Sequence, residues 1–194
     1  PRPVSSAASD VYKRQIDGPV TLATGAVSVT TADDAVTFNH SIDGGQALTL
    51  VAGTAATAIQ GEIGGSTAIS SLTITNGTAN GTIEITNIGG VTGATAIGNT
   101  NTGTITLDGT AYTTTGTQTY TAATGQNIDI TGVATFTTTN SNIGFATAGV
   151  DLANDGTTTI NTGTGAGDVT FGGAIETDAD DDDCLLYTSP SPRD

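Results

Sequence analysis

The chain has 194 residues, 19 acidic against 4 basic, and a formal net charge of -15 at pH 7, with 27 Gly, one Cys and no Trp or Met. A polyanion of this kind repels phosphate backbones and anionic lipid headgroups, which excludes nucleic acid and membranes as partners. Hydrophobic residues make up 36% of the chain but aromatics only 4%, which predicts a thin core built from Ile, Val, Leu and Ala rather than from large rings.

The four basic residues all lie near the ends, as Arg2, Lys13, Arg14 and Arg193, and the single Cys184 is in the terminal strip too. Ser5 to Gln15 reads SSAASDVYKRQ and Cys184 to Asp194 reads CLLYTSPSPRD. Both resemble the translation of transposase-type sequencing-library adapters, oriented outward on either side of a compositionally different insert. The resemblance implies that 1–15 and 184–194 are non-native, disordered tails that make few or no contacts with the rest, and such segments are set aside in reasoning about the fold. What remains, 16–183, reads as an internal fragment of a longer gene. It contains no Cys, so no redox compartment can be argued from it.

Along the insert, short apolar alternations with a period of two predict strands. In chain order they are AVTFNHSI (35–42), ALTLV (47–51), SLTIT (71–75), TIEIT (82–86), TITL (104–107), NIDIT (127–131), ATFTTT (134–139) and DVTF (168–171). Turn formers separate them: Asp43-Gly44-Gly45, Asn76-Gly77, Asn80-Gly81, Asp108-Gly109 and Asp155-Gly156.

Strands at such spacing fit a sandwich or a solenoid. Two features favour the solenoid. VTFNHSID (36–43) aligns without a gap on VTFGGAIE (169–176), and internal repetition is what a solenoid requires. Small aliphatics also fill a narrow coil better than the space of about 10 Å between two packed sheets. The expected fold is all-β, a parallel β-solenoid (β-helix) of about eight coils at about twenty residues each. Leu50, Ile74, Ile85, Leu107, Ile130 and Phe171 should line its interior. The stretch 89–102 fits the pattern least, and its register is open.

The phrases DGGQALTLVAGT (43–54), EIGGSTAISSLTIT (62–75), YTTTGTQTYTAAT (112–124) and VTFGGAI (169–175) resemble the repeats of very large bacterial β-strand-repeat surface proteins, similar in style to filamentous-haemagglutinin-type adhesins. That resemblance implies a parallel β-helix stalk in a secreted or cell-surface bacterial protein. It carries no catalytic residues to transfer, so no catalytic or cofactor-binding residue is assigned and the chain is expected not to be an enzyme.

Chemistry-bearing residues are few. His40 is the only His, which excludes Cys/His metal sites, and it reads as a surface or turn residue. Lyase chemistry on acidic sugars generally needs a cationic base or clamp, and 16–183 holds no Lys or Arg. Two carboxylates suffice for glycoside hydrolysis, but the adjacent pair Asp33-Asp34 reads as a solvated turn. GTGAGDVTF (163–171) lacks two glycines that a calcium nonapeptide repeat requires. Asp178, Asp180, Asp181, Asp182 and Asp183 are weak calcium candidates, because hard cations want several oxygens. A charged linker over 178–183 is the preferred reading of that run. Sequons begin at Asn39, Asn76 and Asn80 and are as frequent as chance allows.

The expected function is a structural or adhesive stalk module, whose partners are an unknown surface ligand or neighbouring repeats of the same chain. The alternatives are a dedicated binding face, ice-binding or calcium-dependent, and a carbohydrate-active β-helix enzyme. Thr73-Ile74-Thr75 and Thr104-Ile105-Thr106 place paired hydroxyls outward with Ile inward. The threonines are expected to scatter over several faces as neutral β-formers.

Overall fold

The structure, a computed structural model, describes residues 14–76, 80–153, 156–177 and 183–188. All regular elements among them are β-strands, and all strand pairs are parallel, which makes the chain a β-solenoid. The strands stack in three columns. The first holds β1 (Arg14–Ile16), β4 (Val36–Phe38), the start of β7 (Thr57–Ile63) and of β9 (Ile83–Val91), β11 (Ile105–Leu107), β14 (Asn127–Ile130), β17 (Gly149–Leu152) and β20 (Ile175–Thr177). The second holds β2 (Val20–Thr21), β5 (Ile42–Asp43), the ends of β7 and β9, β12 (Ala111–Thr114), β15 (Thr135–Thr137), β18 (Thr157–Asn161) and β21 (Cys184–Thr188). Because β7 and β9 run through both, these two columns form one 14-stranded sheet. The third is a 7-stranded sheet of β3 (Val27–Thr30), β6 (Ala47–Val51), β8 (Ser71–Thr75), β10 (Thr95–Gly98), β13 (Gln118–Thr121), β16 (Ile143–Ala146) and β19 (Val169–Phe171).

Each column works the same way: alternation sends every second side chain inward, and parallel register stacks it on its counterpart one turn away. In the third column the inward row is Val29, Leu50, Ile74, Ile97, Tyr120, Phe145 and Phe171. The first contributes Ile16, Phe38, Ile59, Ile85, Leu107, Ile130 and Leu152, and the second Val20, Ile42, Ile63, Ile88, Tyr112, Phe136 and Ile160. These rows meet in one continuous core. Burying each such aliphatic side chain contributes about 1.5–3 kcal/mol.

Seven turns carry all three columns and β20 and β21 begin another, so the solenoid has about seven turns rather than eight. Steps along the third column run from 21 to 26 residues, longer than the twenty expected. Of the six interior residues read from the sequence, five are fully buried, and Phe171 is half-buried against the core. The gapless alignment of 36–43 on 169–176 does not reflect equivalent positions. Phe38 lies in the first column and Phe171 in the third, so the match joins two different strands of the turn. AVTFNHSI is two strands, β4 and β5, separated by a bend at His40. The open register over 89–102 is settled by Thr95 pairing with Leu72 and Ile97 with Ile74.

The interior is also less uniformly aliphatic than composition suggests. Tyr112, Tyr120, Phe136 and Phe145 are fully buried. Phe136 stacks on Tyr112 at 4.8 Å between centroids and meets Tyr120 and Phe145 edge-on, while Phe145 stacks on Phe171 at 5.3 Å. Gln118, fully buried among them, donates through Nε2 to the carbonyls of Tyr112 (2.8 Å) and Thr137 (2.9 Å), and its Oε1 accepts from the Tyr120 hydroxyl at 3.0 Å. The Tyr112 hydroxyl in turn donates to Ile85 O at 2.9 Å.

The terminal strips do not stay clear of the coils where they are described. Arg14 and Gln15 pair with Val36 and Thr37, Arg14 lies 3.6 Å from Asp34, and Cys184–Thr188 pairs residue for residue with β18. The physical reason is that the edge of a parallel ladder presents free N–H and C=O groups to any β-prone segment, whatever its origin. Burial is slight: Leu185 is half-buried and the rest of β21 is exposed. The expectations for 1–13 and 189–194 lie outside the described residues.

Turn corners depend on close backbone stacking. Gly53, at φ +59°, would place a Cβ 1.3 Å from the carbonyl oxygen of Ala32 in the turn before. Gly53→Ala should therefore cost about 1–3 kcal/mol in thermal unfolding, from the left-handed backbone and the displaced corner. Gly45→Ala, where a Cβ meets nothing within 4 Å, should be close to neutral.

Candidate functional site

The residues singled out from the sequence do not converge. His40 is exposed in its bend. Asp33 and Asp34 are exposed in the bend before β4, as a solvated turn requires, with Asp33 Oδ1 accepting from the Thr54 hydroxyl at 2.7 Å. Of the calcium candidates, Asp178, Asp180, Asp181 and Asp182 lie outside the described residues, and Asp183 is half-buried just before β21. Among the described residues no group of three His, Cys, Asp or Glu is placed to hold a metal ion. The Asn76 side chain is buried and donates to Ala55 O at 2.9 Å, whereas Asn80 is exposed at a left-handed corner with φ 66°.

The threonines are spread over the columns. The third has two outward rows, one of Ser28, Thr49, Thr73, Ala96, Thr119, Gly144 and Thr170, broken at Ala96 and Gly144, and one that includes Thr30, Val51, Thr75, Gly98, Thr121 and Ala146, while Thr106 belongs to the first.

The concentration of chemistry that the sequence reading missed is on the first column. Its outward row is Gln15, Thr37, Ala58, Glu84, Thr106, Asp129, Asp151 and Glu176. Three carboxylates therefore occupy one position of three successive turns, about 4.8 Å apart along the ladder. Asp129 and Asp151 each sit between apolar neighbours, in NIDI and GVDL, that turn inward and so drive the acid outward, while Glu176 takes the same register position in the exposed strand β20. This recurrence was the available signal.

Asp129 and Asp151 are half-buried and Glu176 is exposed. The Asp129 Oδ1 atom is buried and makes no hydrogen bond. Burial, and then the charge of Asp151, hold the Asp129 carboxyl above its usual range. Beside the row runs a shallow groove of about 200 Å³, walled by Gly125, Asn127, Gly149, Asp151 and Glu176. Chemically, carboxylates on neighbouring turns can couple their titrations, and a pair of acids is the equipment of glycoside hydrolysis. They project from one strand surface, however, rather than from opposite walls of a cleft.

Asp43, outward on β5, has the opposite environment. Its Oδ1 accepts from the backbone N–H groups of Ser66 (2.8 Å) and Thr67 (3.1 Å), one turn on. The Thr67 bond is the main reason its carboxyl sits below the usual range. Comparison with protein-family models, curated proteins and solved structures finds no match to this chain.

Proposed function

We propose that residues 16–183 are a structural or adhesive stalk module of a large secreted or cell-surface bacterial protein, without catalysis of their own. The observation that carries this reading is the in-register stack of seven turns around one unbroken core, a geometry that transmits length and stiffness from one end of a segment to the other. Its partners on this reading are neighbouring repeats of the same longer chain or an unidentified surface ligand. The acidic run 178–183 is a charged linker, and calcium is at most a weak ligand there. Residues 5–15 and 184–194 are read as translated adapter sequence, which adds edge strands without belonging to the stalk.

The test places the full chain between a cell-surface anchor and a reporter epitope. Seven turns at the strand spacing should raise the reporter by about 34 Å, and the displayed chain should give no polysaccharide hydrolysis. Hydrolysis lost on Asp151→Asn would replace the stalk by the carbohydrate-active reading. Thermal hysteresis lost on Thr75→Tyr or Thr106→Tyr would replace it by a lattice-matching face.

A further inference from the structure

Among the described residues the outward carboxylate row of the first column has no counter-charge. No Lys or Arg occurs between Ile16 and Asp183, and His40 lies in an earlier turn. The elements against β14 offer none either. β11 presents Thr106 and, just past its end, exposed Asp108, while β17 presents Asp151, with Glu176 one strand beyond. Like charges directly opposite on neighbouring strands destabilise the pairing, and here the parallel register leaves them no alternative position. The buried, unbonded Oδ1 of Asp129 adds a desolvated acceptor with nothing to satisfy it.

We propose that the Asp129–Asp151–Glu176 row is a proton-responsive clamp, in which uptake of a proton from solvent between Asp129 and Asp151 tightens the pairing of β14 with β17. Protonation removes one of the two facing charges and supplies an O–H donor where two acceptors face each other. The folded chain then binds this proton more tightly than the unfolded chain. Stability from this row is therefore fully present below the unfolded carboxylate range and is lost as pH rises through the folded value. Asp43 acts in the other direction, since its contribution is present above the usual 3.8 and is lost as pH falls through its lowered folded value. Asp129→Asn, which leaves Asp43 and its bonds to Ser66 and Thr67 in place, separates the two. The proposal does not depend on the stalk reading.

The experiment compares the full chain with Asp129→Asn and with Glu84→Gln. The second variant removes one charge from the same column, but its register neighbours are Ala58 and Thr106. Melting temperature and amide exchange at Ile128–Ile130 and Val150–Leu152 are followed from pH 7.5 downward through the carboxylate range. The unsubstituted chain and Glu84→Gln should gain about 1–4 °C on acidification, with slower exchange in those two strands. Asp129→Asn should start higher at pH 7.5 and gain nothing. An unchanged or falling melting temperature in the unsubstituted chain would overturn the clamp. So would an equal gain in Asp129→Asn, or loss of the gain in Glu84→Gln, which would assign the effect to net charge.

Discussion

Phe136→Ala should be among the most damaging single substitutions in the chain, costing about 3–5 kcal/mol and lowering the melting temperature by roughly 10 °C. Phe136 is fully buried at the centre of the ring cluster, stacked on Tyr112 and edge-on to both Tyr120 and Phe145. Its removal opens a cavity that the ladder cannot collapse, because hydrogen bonds to turns above and below fix the strand spacing. Phe171→Ala removes the same ring from a half-buried position with one stacked partner, and should cost about 1–2 kcal/mol. Equal losses for the two, measured by denaturant unfolding, would contradict the assignment of Phe136 to the interior.

Gln118→Leu should cost about 2–4 kcal/mol even though Leu suits an apolar interior. Gln118 is a buried polar residue between Thr95 and Ile143 in the third column, and it ties that column to the second through Tyr112 O and Thr137 O. Replacing it leaves the Tyr120 hydroxyl, fully buried, without its acceptor. Adding Tyr120→Phe removes the orphaned hydroxyl and should recover about 1 kcal/mol. A double variant no more stable than Gln118→Leu would show that the hydroxyl finds another partner and that the bridge is not the stabilising element.

The alternating runs were legible because period-two patterning and β-branched residues act locally. ALTLV and SLTIT are β6 and β8 to the residue, and Leu50, Ile74, Ile85, Leu107 and Ile130 are interior as their alternation requires. Register was not legible. It depends on how many residues each corner consumes, and corners such as Gly53 or the Asn99–Gly103 bend are fixed by contacts with the turn before. Without register, Asp129, Asp151 and Glu176 were three unrelated acids in the sequence, and Phe38 aligned with the wrong column of Phe171. The aromatic cluster was missed for a different reason. Composition averages over the whole chain, whereas five of the rings lie between Tyr112 and Phe171 and meet, stacked or edge-on, only once the turns are in register. The pairing of Cys184–Thr188 shows the converse limit: LLYT is β-prone wherever it comes from, so ladder geometry does not identify its origin.

The turns stack at one per 21 to 26 residues along the third column, with parallel register throughout. Ser28, Thr49, Thr119 and Thr170 point outward on one column at the first, second, fifth and seventh turns. Pulsed electron-spin distances between labels attached at Ser28→Cys, Thr49→Cys, Thr119→Cys and Thr170→Cys, in pairs and in a Cys184→Ser background, measure the stack directly. The expected separations are about 19 Å for 28–119, about 24 Å for 49–170 and about 29 Å for 28–170, rising in proportion to the number of turns between them. Separations that do not increase with turn number, or a 28–170 distance shorter than 28–119, would contradict the solenoid.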